Sequence, residues 1–483
     1  MTWIDVGGSS GDGSAAEGRR GWIESDVPAR LDALGWSSWH RRVVIALGIT
    51  WILDGLEASL IANLGPTLET SHGLGLSATE VGATNAVYLA GQVLGALVFG
   101  HLTDRLGRKK LFLVTLAIYL CATAASGLAP TFVVFLVFRM IAGAGIGGEY
   151  AAINSAIDEL VPARMRGQVD LAINGSYWIG VAASAGITLV VLDPAIVPPN
   201  IGWRIAFALG SLLGLAILFV RRDVPESPRW LLMHGHADRA RETVEHIERA
   251  VGQAPSDVAP VRVKVTGTVP LRELLHVLIR RYPRRSILGL VLMFSQAFLY
   301  NAIFFSYGLI LSKFYGVAED HVGLYIVPFA IGNFLGPVVL GPLFDRWGRR
   351  VMIPATYALS GVLLTATGAL FAAGWLDAVT QTIAWSVVFF FASAAASSAY
   401  LTVSELFPVH VRGMAIAVFY SFATLVGVAA PLVFGALVDA GRPGQLLAGY
   451  AACSVLVIGA AAVARWLGVD AEGRSLEELC RVE

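Results

Sequence analysis

Residues 139–150 read RMIAGAGIGGEY, and the choice between two readings of them decides the fold. Gly143, Gly145 and Gly148 fall in the pattern G-x-G-x-x-G. In soluble dinucleotide-binding proteins that pattern follows a strand and opens a helix inside a βαβ unit. Here one apolar run passes straight through the glycines, from Thr131 to Ala156. A helix rises about 1.5 Å per residue, so such a run crosses roughly 30 Å of hydrocarbon. We therefore read a membrane-spanning helix in which Gly143, Gly145, Gly147 and Gly148 admit a neighbouring helix closely. Arg139 and Glu149 then become the anomaly, because ionisable groups inside a span are costly and face a partner or a cavity.

The rest of the chain agrees with a membrane. Of its 483 residues 56% are hydrophobic and 14% charged, with a mean hydropathy of +0.67. Soluble domains carry about 25% charged residues. The formal net charge is zero, which gives no sign of a nucleic-acid partner. Cys121, Cys453 and Cys480 are scattered, with neither disulfide nor metal spacing. The Gly/Ser-rich start has no short apolar core with a cleavage site, so it is not a secretory signal. Residues 1–38 are expected to be a mostly disordered tail, with room for one short helix near the membrane.

Twelve candidate spans follow, near 41–65, 81–102, 111–129, 132–158, 170–192 and 203–220, then near 286–312, 321–343, 350–373, 379–406, 413–438 and 446–467. The expected fold is an all-α polytopic membrane protein. Six-helix halves at 39–220 and 286–467 flank a polar interval at 221–285, and 468–483 form a tail. Within the interval, 229–250 reads as one or two short amphipathic helices. Basic residues mark the cytoplasmic side. With both termini inside, Arg204, Lys313 and Arg442 fall outside and Arg139 within a span, leaving 31 of the 35 basic residues on the cytoplasmic side. That predicts a multi-pass protein of the cell membrane with both ends cytoplasmic.

Two motifs occur twice in register. Gly100-HLT-Asp104-Arg105-L-Gly107-Arg108-Lys109 returns 241 residues later as Gly341-PLF-Asp345-Arg346-W-Gly348-Arg349-Arg350. Glu159-LV-Pro162-ARM-Arg166-Gly167 returns 246 residues later as Glu405-LF-Pro408-VHV-Arg412-Gly413. The chain is thus two halves of shared design, a transporter plan that puts the substrate site at the midplane between them. The first motif resembles the signature loop of the major facilitator superfamily. The second, with Pro225-Glu226-Ser227-Pro228-Arg229-Trp230, resembles the sugar porter branch. The G-G-E end of the fourth span and Asp54-Gly55-Leu56-Glu57 in the first resemble the metabolite:proton and aromatic acid:proton symporter branches.

The resemblance implies roles. Asp104, Arg105, Arg108, Glu159, Arg166, Glu226, Arg229, Asp345, Arg346, Arg349, Glu405 and Arg412 would pair across helices as a cytoplasmic gate; otherwise they only set topology. Glu57 lies about 7 residues, or roughly 10 Å, from the outer end of its span, and Arg139 is level with it in the fourth. In proton-using sugar porters an Asp and an Arg hold these two positions, which makes Glu57–Arg139 the expected coupling pair. The other reading is a static pair that only fixes packing. Glu149 would relay the proton or take Arg139 in another state. Asp54 shares the helix face of Glu57.

The sugar pocket matches only in part. Gln296 and Asn301 are kept in the seventh span, with Ser295 in place of the first Gln. Val181, Tyr400 and Gly427 fall where sugar porters carry Gln, Trp and Asn. Hydroxyls left unpaired there cost about 1–3 kcal/mol each. Asn174, Trp178, Tyr400 and Trp385, with Gln296 and Asn301, are expected to line a flatter, more aromatic pocket. We expect proton-coupled symport of a small organic acid, aromatic acids included, or a related metabolite. The competing readings are a sugar or polyol transporter, a drug exporter and a non-transporting sensor. No catalytic residue, metal site or cofactor is expected. His234, His236 and His246 read as solvated surface. The expected partners are substrate, proton and lipid, with no nucleic acid and a monomeric chain.

Overall fold

A computed structural model describes residues 21–76, 78–106, 108–220, 225–253, 258–265, 271–317, 322–474 and 476–479. The apolar runs are helices, as they must be where no water is present to satisfy backbone N–H and C=O groups. After β1 (Gly21–Ser25) and α1 (Val27–Ala33), the first half comprises α2 (Ser38–Glu69), α3 (Ala78–Leu106), α4 (Arg108–Gly127), α5 (Phe132–Leu160), the broken span α6 (Arg166–Gly175) with α7 (Tyr177–Val191), and α8 (Pro199–Val220). Between the halves lie α9 (Pro228–Met233), α10 (Ala237–Val251), β2 (Val261–Val265) and α11 (Leu271–His276). The second half comprises α12 (Pro283–Tyr315), α13 (Val322–Arg346), α14 (Arg349–Ala372), α15 (Ala378–Leu406), the broken span α16 (Val409–Gly427) with α17 (Ala429–Asp439), and α18 (Pro443–Leu467), before a last short α19 (Leu476–Leu479). Among the described residues ten stretches are long and apolar enough to cross a bilayer. Helix α8 and the α16–α17 pair complete the twelve spans.

The two breaks have local causes. Between α6 and α7, the Ser176 hydroxyl donates to its own turn at Ile173 (2.6 Å) and to the Gly48 carbonyl of α2 (3.1 Å). Between α16 and α17, Pro431 has no N–H to return to the carbonyl of Gly427.

Glycine sets the closest helix approaches. A Cβ at Gly143 would collide with the Tyr88 carbonyl of α3, and one at Gly147 with the Gln92 carbonyl. Those two glycines lie one turn apart, so α3 and α5 pack backbone to backbone along the opening stretch.

The halves meet where α3 runs against α16 and where α13 runs against α6 and α7. The described segments nearest the chain ends, α1 and α19, lie on one face, termed here the terminal face, where the Arg285 guanidinium donates to the carbonyls of Leu406 (2.8 Å) and Leu479 (2.9 Å).

One expectation fails at the start of the chain. Residues 21–33 belong to the stretch expected to be mostly disordered with room for one short helix; α1 is such a helix, and the strand β1 is the departure. Strand β1 pairs antiparallel with β2, Gly21 opposite Val265 and Ser25 opposite Val261. Val27, Leu31 and Leu34 are buried, and α1 packs on α9 and α10. Residues 1–20, the Gly/Ser-rich part of the expected tail, lie outside the described residues.

Candidate functional site

Five helices of the first half close around one ion pair. The Arg139 guanidinium on α5 donates to the Glu57 carboxylate on α2. The Thr123 hydroxyl on α4 donates to the same oxygen at 3.2 Å. The Tyr88 ring on α3 faces the guanidinium, its centroid 4.3 Å from Cζ, and Phe207 on α8 lies at 5.7 Å. Glu57 and Arg139 are both 0% exposed. Two opposite charges in so dry a place hold each other, since losing either partner leaves a buried charge at a cost of about 3–5 kcal/mol. Asp54 and Glu149 are buried as well.

A cavity of about 260 Å³ lies beside this pair, between the halves. Its first-half wall includes Trp51, Asn85, Tyr88, Gln92, Asn174, Tyr177 and Trp178; its second-half wall includes Gln296, Tyr300, Asn301, Phe304, Ser393, Ser397, Tyr400 and Tyr420. Among the described residues no charged side chain lines it. Aromatic rings and amides form its walls. Trp178 packs on Tyr300 (5.9 Å) and Phe304 (5.6 Å), and Trp51 on Tyr400 (6.4 Å). The amides of Asn174 and Asn301 each donate to the carbonyl one turn back, Asp170 at 2.9 Å and Ala297 at 2.8 Å. The Asn301 amide fills the space that a side chain at Gly427 would need. Across the floor, the Tyr420 hydroxyl donates to Gln92 Oε1 at 3.1 Å and joins α16 to α3.

On the terminal face the repeated motifs interlock. Arg166 of the first half approaches Glu405 of the second at 3.8 Å, and Arg412 of the second approaches Glu159 of the first at 3.8 Å. Arg349 binds Glu405 through two hydrogen bonds of 3.2 and 3.0 Å and Asp345 at 2.7 Å. Asp345 in turn accepts the backbone N–H groups of Gly167 (3.1 Å) and Gln168 (2.7 Å). A carboxylate from α13 thereby caps the N-terminus of α6 across the half-to-half seam, where the free N–H groups and the helix dipole favour an anion. Arg229 donates to the Glu159 carbonyl at 3.0 Å, and Glu226 accepts from the Ser227 N–H at 3.1 Å.

Sequence reasoning missed one member of this cluster. Asp32 of α1 reaches Arg229 at 3.0 Å and Arg166 at 3.6 Å. Its neighbour Arg30 binds Glu248 of α10 through bonds of 2.9 and 2.6 Å, and that bonding holds the Arg30 guanidinium above its usual range. The amino-terminal arm is thus pinned to the linker helix while its Asp32 carboxylate enters the terminal-face cluster.

Of the residues predicted for the pocket, Gln296, Asn301, Asn174, Trp178 and Tyr400 line the cavity. Trp385 does not. It is 0% exposed and packs on Tyr307 at 4.8 Å, inside the second half. Arg346 is exposed and makes no ion pair among the described residues, so it is not part of the gate cluster. The side chains of Asp104, Arg105 and Arg108 lie outside the described residues. Asn85, Tyr88 and Gln92 were overlooked, although their spacing of three and four along the second span marks one polar helix face.

Comparison with known proteins gives the family. Residues 54–482 match the sugar (and other) transporter family. The niacin transporter NiaP of Acinetobacter baylyi is 28% identical over 457 residues, covering 94% of this chain and 99% of that one. A probable 4-methylmuconolactone transporter of Cupriavidus pinatubonensis is 24% identical over 392 residues, covering 80% and 81%. Among solved structures, the proton:xylose symporter XylE bound to 6-bromo-6-deoxy-D-glucose superposes with a TM-score of 0.75 at 19% identity, covering 92% of this chain and 98% of that one.

Proposed function

The chain belongs to the sugar (and other) transporter family, a multi-pass membrane carrier of small molecules, and on that premise we propose that it is a proton-coupled symporter of a small, flat organic acid of the aromatic kind. The observation that carries this reading is an uncharged aromatic-and-amide cavity whose wall residue Tyr88 also stacks on Arg139 of the buried Glu57–Arg139 pair. Rings such as Trp178, Tyr300 and Tyr400 suit a planar guest, which stacks offset or edge-to-face. The amides of Asn174, Gln296 and Asn301 suit its polar edge. The names of a niacin transporter and a 4-methylmuconolactone transporter among the relatives favour cyclic acids or their lactones over sugars. The departures at Val181, Tyr400 and Gly427 weigh against a hexose.

Charge neutrality gives the mechanism. Empty, the Glu57–Arg139 ion pair is neutral in itself, carboxylate against cation. A carboxylate substrate arriving alone would add an uncompensated charge to a dry site, which is costly. If Glu57 takes a proton as the substrate binds, Arg139 becomes the counter-charge of the substrate and the site is neutral again. The bundle then crosses between its two facings neutral whether empty or loaded, carrying one proton with each anion. The proton comes from the water on the side the cavity faces and leaves to the other side.

The terminal face is assigned as cytoplasmic on its basic loops. The reciprocal Arg166–Glu405 and Arg412–Glu159 pairs, the Asp345 cap and the Arg349 bonds act as the cytoplasmic gate, closed in this conformation. The chain works as two six-helix units at 39–220 and 286–467 rocking about the central cavity, as a monomer in the cell membrane. The test is uptake of labelled nicotinate, benzoate and xylose into proteoliposomes with and without an inward pH gradient. Gradient-stimulated uptake of the aromatic acids and not of xylose supports the reading, and gradient-stimulated xylose uptake would replace it with the sugar porter alternative.

A further inference from the structure

Neither Glu57 nor Arg139 lines the cavity, and both are 0% exposed. A substrate in the cavity touches neither of the groups proposed to carry its proton. Whatever couples binding to protonation must touch both sides, and Tyr88 does. It lines the cavity, and the Arg139 guanidinium lies over its ring at 4.3 Å. Its buried hydroxyl makes no hydrogen bond among the described residues, so nothing tethers the ring by its oxygen. Its backbone is fixed, by contrast, because the Tyr88 carbonyl sits against Gly143 where a side chain would clash. The ring is free to respond while the helix beneath it is not.

The ion pair shows where the response goes. Arg139 spends one nitrogen on Glu57; among the described residues its Nε and Nη2 are buried without a hydrogen-bond partner, and so is Glu57 Oε2. Buried donors are rarely left idle. This guanidinium has capacity for a second acceptor once Glu57 is neutral. Asp54 on the same helix, Glu149 on α5 and Tyr119 on α4 are further buried ionisable side chains of the first half. Around the ion pair α4 also supplies Thr123 and α8 supplies Phe207. None of these lines the cavity.

We infer that Tyr88 is the positioning residue that links cavity occupancy to the protonation of Glu57. This deepens the symport reading and rests on it. When Glu57 is ionised it neutralises Arg139. When it takes a proton, the cation is held by the faces of Tyr88 and Phe207, and a cation–π contact is strongest where water is excluded. A carboxylate bound at the cavity-side edge of the Tyr88 ring, the positive rim of its quadrupole, adds its own attraction to a guanidinium resting on the ring face. Substrate binding and proton uptake then stabilise each other through one ring. The π face is the working part, and the hydroxyl is dispensable.

The experiment compares Tyr88→Phe, which keeps the ring, with Tyr88→Leu and Tyr88→Met, which do not. Each full-length variant is reconstituted, and nicotinate and proton influx are recorded in the same vesicles, so that the readout is protons carried per nicotinate rather than rate. Tyr88→Phe is expected to keep the wild-type ratio, and the Leu and Met variants to lose at least about fivefold of it. A merely structural role would slow both fluxes together and leave the ratio unchanged, which overturns the inference. So would a Phe variant as uncoupled as Leu. Two results separate this inference from the reading beneath it. A wild type that moves nicotinate without protons, or not at all, overturns the symport reading and this inference with it. A coupled wild type beside equally coupled Leu and Met variants overturns this inference alone.

Discussion

Glu57 and Arg139 sit on different helices, 82 positions apart in sequence, and are both 0% exposed. Glu57→Gln keeps the shape and removes the titration. It should abolish uptake driven by a pH gradient while exchange of labelled for unlabelled substrate persists; measuring both in one preparation checks this. Gly147 makes a different demand. Its Cβ position is occupied by the Gln92 carbonyl, so Gly147→Leu should force α3 and α5 apart and cost about 1–3 kcal/mol, read as a lower unfolding temperature in detergent. Both residues were legible in the sequence, because a charge or a glycine cluster in an apolar run is conspicuous. Trp385 shows what was not. Helical periodicity groups residues into faces, but it does not say which face meets the cavity and which meets a neighbouring helix. Trp385 therefore read as a pocket aromatic and is core. Tyr88 escaped for the converse reason: a Tyr in a span reads as packing, although Asn85 and Gln92 share its helix face.

Among the elements, the amino-terminal arm departs most from expectation. Its strand β1 pairs with residues some 240 positions later, and no local pattern announces so distant a partner. The spans themselves were plain because each carries its own apolar run, whereas the breaks at Ser176 and Val428 depend on a neighbouring helix and on one proline. The arm places Asp32 between Arg166 and Arg229. Asp32→Asn should therefore weaken the closed gate by about 1–3 kcal/mol, seen as faster alkylation of a single cysteine introduced on the terminal face; unchanged alkylation would show the arm to be a passive strap. At the opposite end of the second half, Asp377 caps α15 in a reciprocal box with Thr380. Hydrogen bonds from the Thr380 backbone and then its hydroxyl hold the Asp377 carboxyl below its usual range. A depressed acid stabilises the folded state above its unfolded value and loses that contribution as pH falls through the folded one. The cap should thus be intact at neutral pH and fail below about pH 4. An acid titration of thermal unfolding, compared with Asp377→Ala, should show the two proteins converging there.

For the whole molecule, duplication is the organising fact. One motif repeated in register becomes two reciprocal contacts, Arg166 with Glu405 and Arg412 with Glu159, each joining one half to the other. The family resemblance implied that these residues pair across helices. It did not reveal that Asp345 would cap a helix of the opposite half, because that depends on how the halves dock. Exchanging the charges of Arg166 and Glu405 singly should open the terminal face, and exchanging both should restore part of the closure, with a coupling of about 0.5–3 kcal/mol in a double-mutant cycle on cysteine accessibility. The account as a whole stands on neutrality: a bundle that crosses empty with an internal ion pair and crosses loaded with a proton and an anion. Simultaneous recording of proton and nicotinate influx into proteoliposomes, with the membrane potential clamped at several values, tests that directly. The account predicts one proton per nicotinate and a flux indifferent to the clamped potential, both lost in Glu57→Gln. Nicotinate influx with no accompanying protons, or a flux that follows the potential, would contradict it.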